Sequence, residues 1–82
     1  MSLETLRGKL DAIDAELIDV LARRAAVVDE IWAWKAAQGV GRVDPAREAA
    51  VRERLLARAE QLGLSRAAVS SILERIIGHS LR

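Results

Sequence analysis

The chain holds 82 residues with 13 basic and 12 acidic side chains, a formal net charge of +1, and two aromatic residues, Trp32 and Trp34. That length permits one small domain, and an apolar fraction made of Ala, Leu, Val and Ile is helix-bundle material. With no Cys and a single His, disulfide frameworks, zinc-thiolate sites, thiol nucleophiles and multi-histidine metal sites are excluded, and near-neutral charge argues against a general nucleic-acid or acidic-membrane binder.

No apolar run approaches the roughly 20 residues of a membrane span, and the first residues lack the charged and apolar blocks of a signal peptide. The expectation is a soluble, cytoplasmic, all-α protein formed as one domain over residues 1–82.

Breakers divide the chain into three helices. From Ser2 to Gln38 the only potential breaker is Gly8, which costs about 1 kcal/mol relative to Ala in a helix. Across that span Leu3, Leu6, Leu10, Ile13, Leu17, Val20, Val27, Ile31 and Trp34 alternate spacings of three and four, a sustained heptad seam. Ser2 is the N-cap, with Glu4 in the first turn. This predicts a first helix over about 2–38.

After Gly39 and Gly41, Asp44-Pro45 announces the second helix, an acidic N-cap followed by proline at the first helical position. It runs over about 45–62, where Gly63 takes the left-handed position past its end and Leu64 folds back. Ser65 caps a third helix over about 66–81, whose apolar stripe is Val69, Ile72, Leu73, Ile76 and Ile77.

The first helix is too long for a monomer. Some 37 residues at 1.5 Å each make a rod of about 55 Å, whereas a compact chain of this size is about 30 Å across. The apolar seam runs the whole way, so the overhang needs a cover, and a second copy related by two-fold symmetry is the economical one. A homodimer with an intertwined three-helix protomer is expected.

Several polar residues break this scaffold's pattern. Arg24 occupies the seam position between Val20 and Val27, where a guanidinium is costly unless an anion meets it. It is either one half of a buried ion pair, a register-setting residue, or part of an anion pocket. Lys35 follows 11 residues later and returns to within about 20° of the same face, about 16 Å along the axis. Alone it would read as a solvated lysine favoured by the helix dipole.

Arg7 lies about 42 Å along the helix from Lys35, so it can share a small ligand with Lys35 only from a partner chain; otherwise it is a surface arginine. At the start of the second helix, Arg42, Asp44, Arg47 and Glu48 crowd together. A capping box wants Glu at 47, and Arg47 is there instead, so Glu48 is not explained as a reciprocal cap, although an acid near a helix N-terminus is favourable in itself.

Ser80 follows Ile76 and Ile77 at helical spacing and is either a hydroxyl at the stripe's edge or part of a fraying end. His79 has no Ser or Cys partner at triad spacing. A pocket built from these groups is cationic, has a few acceptors for hydroxyls and is poor in nucleophiles. It suits a small dianion and a reaction helped by electrostatics.

These residues resemble a specific family. Leu6-Arg7-x-Lys9-Leu10-x-x-Ile13-Asp14, Leu21-Ala22-Arg23-Arg24, Lys35, Asp44-x-x-Arg47-Glu48 and Ile76-Ile77-x-x-Ser80 are similar, in order and separation, to the all-helical (AroQ-type) chorismate mutases. The resemblance spans essentially all 82 residues. It implies an intertwined dimer that rearranges chorismate to prephenate on the route to Phe and Tyr, without metal or cofactor.

The family pattern places Arg7 of one protomer and Arg24 of the other on the two substrate carboxylates. Lys35 reaches a carboxylate and the ether oxygen of the breaking bond, and Arg47 lines the pocket. Asp44 and Glu48 address the ring hydroxyl, and Ser80 a carboxylate. On this pattern the catalytic residues are Lys35, Arg24 and Glu48. The family usually adds a Gln or Glu one turn beyond Ser80, a position past Arg82, which implies reduced activity or a substitute group.

Such a pericyclic step needs no nucleophile or general base. It needs a flexible dianion held in its folded conformer and a cation facing the developing negative charge. Two other readings remain. An isochorismate-pyruvate lyase shares the fold and cationic pocket, but Asp44 and Glu48 suit a mutase's hydroxyl contacts better. A catalytically silent helical dimer would serve as a regulatory or partner-binding domain.

Overall fold

A computed structural model describes residues 1–41 and 43–77 of the chain. It is all-helical in the order α1 (Leu3–Gln38), α2 (Pro45–Gln61) and α3 (Arg66–Ile76). The chain divides into two units, Met1–Trp34 and Lys35–Arg82.

Local chemistry starts and stops each helix. The Ser2 hydroxyl oxygen accepts the Thr5 N–H at 3.1 Å, and the Ser2 carbonyl accepts the Leu6 N–H. These contacts satisfy donors that the first turn of α1 leaves without intrahelical partners. At the other end Gly39 turns at φ +70°. Its N–H donates to the Ala36 carbonyl, and the Val40 N–H to that of Lys35.

The end of α2 repeats this device. Gly63 sits at φ +78°, its N–H donates to Glu60, and the Leu64 N–H reaches back to Ala59. The crossed pair of bonds is the Schellman arrangement, and the positive φ is why glycine stands at both turns. Ser65 opens α3 by accepting the Ala68 N–H at 3.2 Å. Helix α3 closes at Ile77, whose N–H donates to the Leu73 carbonyl. The stretch from 78 to 81, assigned to this helix from the sequence, lies outside the described residues.

The second unit is a helical hairpin with a small core. Leu56 of α2 packs with Leu73 of α3 and Ile77, and Val51 and Val69 lie against them. Arg66, the first residue of α3, braces the hairpin. Its Nη2 donates to both carboxylate oxygens of Glu53 at 3.0 Å, and its Nη1 to Glu60 at 3.0 Å. Those bonds, first to Glu60 and then to Glu53, raise the guanidinium pKa above its already high ordinary value. The cluster is solvent-exposed, so it orients the turn more than it stabilises it.

The core carries the hairpin. Leu56 is 3% exposed, and Leu56→Ala is expected to cost about 3 kcal/mol, read as a lowered urea midpoint.

Helix α1 is different. None of its residues is buried, and each of the nine seam residues from Leu3 to Trp34 is between 46% and 61% exposed. A second set, Leu21, Arg24, Ala25, Val28, Trp32 and Lys35, is half-buried. Arg24 keeps the seam spacing, four residues after Val20 and three before Val27, but is half-buried where those neighbours are exposed.

Candidate active site

Helix α1 supplies three of the cations picked out from the sequence. Arg7 is at the surface near its start, donating to Glu4 at 3.1 Å with side chains 63% and 83% exposed. Arg24 and Lys35 are half-buried farther along. A half-buried guanidinium or ammonium keeps less hydration than a surface one, so an anion meeting it is held more strongly. Lys35 stands in the last turn of α1, where the helix dipole favours a cation.

The first turn of α2 gathers the other group. Asp44 is the N-cap, its Oδ1 accepting the Arg47 N–H at 3.1 Å, with Pro45 at the first helical position. The cap bond commits one Asp44 oxygen to the backbone and holds the carboxylate at the helix mouth. Glu48 donates its backbone N–H to the Asp44 carbonyl at 3.0 Å, an intrahelical bond at the start of α2. Its side chain is half-buried while those of Asp44 and Arg47 are exposed. Of the two carboxylates in this turn, Glu48 is thus the one in partly desolvated surroundings.

The structure thus brings Asp44, Arg47 and Glu48 into one turn. Arg7 and Arg24 belong to the other unit, and Arg42 and Ser80 lie outside the described residues. Trp32 is half-buried and Trp34 is 61% exposed, so the two tryptophans occupy different faces. Among the described residues no group of three or more His, Cys, Asp or Glu could hold a metal ion. In the same residues no helix is long and apolar enough to cross a membrane.

One charged residue escaped the sequence reading. Arg52 is half-buried on α2, and its Nε is buried without a hydrogen-bond partner among the described residues. Its signal in the sequence is spacing, four residues after Glu48 and four before Leu56.

The chain belongs to the chorismate mutase type II family, whose model matches residues 6–82. It is 32% identical over 78 residues to a T-protein of Enterobacter agglomerans, covering 95% of this chain and 21% of that protein. A T-protein of Haemophilus influenzae is 30% identical over 79 residues, 96% of this chain and 21% of that protein. The 4-amino-4-deoxychorismate mutase of Streptomyces venezuelae is 31% identical over 80 residues, 98% of this chain and 78% of that protein. The chain thus spans about a fifth of the length of the two T-proteins. No solved structure matches the chain significantly.

Proposed function

We propose that this chain is a chorismate mutase domain, catalysing the Claisen rearrangement of chorismate to prephenate in aromatic amino-acid biosynthesis in the cytoplasm. Membership of the family supports the reaction class. The observation that carries the site is that α1 exposes its apolar seam yet keeps two cations, Arg24 and Lys35, half-buried.

In this reading Arg24 binds a substrate carboxylate, and Lys35 faces a carboxylate and the ether oxygen on which negative charge grows. A fixed cation is worth more against that developing charge than against the ground state, which is the differential binding that catalysis requires. Glu48 and Asp44 accept from the ring hydroxyl, Arg47 lines the site, and Ser80 donates to a carboxylate. No cofactor enters the reaction.

We infer a homodimer, built by packing the exposed α1 seams of two copies, with Arg7 donated across the interface. A contiguous apolar surface of this extent is unusual on a monomer. The small core of the second unit also points to stability gained by association.

The test is steady-state turnover by the purified protein, given chorismate, isochorismate and 4-amino-4-deoxychorismate separately. Prephenate formation from chorismate supports the reading. Pyruvate released only from isochorismate makes the protein a lyase instead. Turnover of the amino substrate in preference to chorismate would bring it closer to the Streptomyces relative in activity as well as sequence. No turnover with any of them leaves the silent helical dimer.

A further inference from the structure

Arg52 stands on the face of α2 that carries the core. That face reads Glu48, Val51 and Arg52, all half-buried, then Leu56 and Ala59, both buried. An arginine there is costly unless its donors are met, and an apolar side chain of similar volume would fit without that cost. Other arginines of the chain are satisfied at the surface, Arg7 by Glu4 and Arg66 by Glu53 and Glu60. The Arg52 Nε, by contrast, is shut away from solvent with no acceptor among the described residues.

Helix geometry points to the acceptor. Glu48 lies four residues earlier, with its Cβ about 5–6 Å away, and Glu preceding the cation is the favoured order for such a pair. Side chains on an α-helix lean toward the preceding turn, so Arg52 leans toward the turn that carries Glu48.

We propose that Arg52 is a positioning residue for Glu48. The proposal rests on reading Glu48 as the acceptor for the substrate's ring hydroxyl. When one Glu48 oxygen accepts from that hydroxyl, the other accepts the Arg52 Nε–H. The pair fixes the carboxylate's rotamer and offsets its charge, and the orphaned donor gains its partner in the same step.

The test compares wild type, Arg52→Leu, Arg52→Lys, Glu48→Gln and the Glu48→Gln/Arg52→Leu double variant by chorismate kinetics, with circular dichroism to confirm folding. Leu suits an apolar face, so Arg52→Leu is expected to fold. It should lower kcat/KM about tenfold in the wild-type background and less than about twofold when Glu48 is already Gln. Arg52→Lys, which keeps the charge, should recover part of the loss.

An unchanged kcat/KM in Arg52→Leu, or an equal loss in both backgrounds, overturns the proposal and leaves the mutase reading standing. A wild type without turnover overturns the mutase reading instead. Chorismate binding is then followed on the same chains by tryptophan fluorescence. There the same non-additivity supports the pairing, and additive losses or no binding overturn it.

Discussion

Arg24→Ala is expected to lower kcat/KM for chorismate by about 10²–10⁴-fold while the chain keeps its helical content and its state of association. The size follows from removing one partner of a partly desolvated ion pair. A carboxylate left without its cation in such a place costs about 3–5 kcal/mol, and each 1.36 kcal/mol is a tenfold change in rate. Arg24 qualifies because it is half-buried on α1.

Arg24→Lys should fall between, since it keeps the charge but loses the flat fork that meets a carboxylate with two parallel bonds. The measurement that decides is activity alongside an unfolding curve. Should Arg24 serve instead as a structural ion pair of the bundle, the Ala variant would lose stability by a similar free energy. Its remaining activity would then track the folded fraction.

The sequence exposed some features of this molecule and hid others, for physical reasons. Helix ends were legible because they depend on neighbours in the chain. Ser2, Asp44 and Ser65 each have a side-chain oxygen at the place where first-turn donors lack partners. Gly63 supplies the positive φ that ends α2. Glu48 was less so. The residues showed only that it is not a reciprocal cap, because Arg47 sits where a capping box would need an acid. Its place in a site came from the family resemblance.

Burial was less legible. The heptad count on α1 put Arg24 among seam residues, whereas the structure half-buries it with Leu21, Val28 and Trp32 and leaves Val20, Val27 and Ile31 exposed. Periodicity finds the apolar positions of the helix without showing how exposed each of them is. Arg52 was missed for a related reason. A charged residue in a helix so rich in arginine reads as solvent-facing until the burial of its Nε is seen.

Arg7→Ala and Arg24→Ala chains, each inactive as a homodimer, are expected to regain activity when mixed. If Arg7 of one protomer serves the site that holds Arg24 of the other, a heterodimer of the two variants has one site lacking both residues and one site lacking neither. Random re-pairing after joint unfolding and refolding makes about half of the dimers heterodimeric, and a two-fold dimer has two equivalent sites. About a quarter of wild-type activity should therefore return.

The same mixture separates the alternatives sharply. Were Arg7 and Arg24 of one chain to serve the same site, every site in the heterodimer would lack one of them, and mixing would restore nothing. Within a single chain Arg7 pairs with Glu4 at the exposed surface, a contact of the kind typically worth well under 1 kcal/mol. That pair is weak enough for a substrate carboxylate presented by the partner to displace. A control with Ile13→Glu and Leu17→Glu placed in both chains puts charge into the exposed seam and should prevent re-pairing. Size-exclusion chromatography would then show smaller particles, and the mixture would remain inactive. Recovery without the seam charges and none with them would tie the activity to packing of α1 against a second copy of itself.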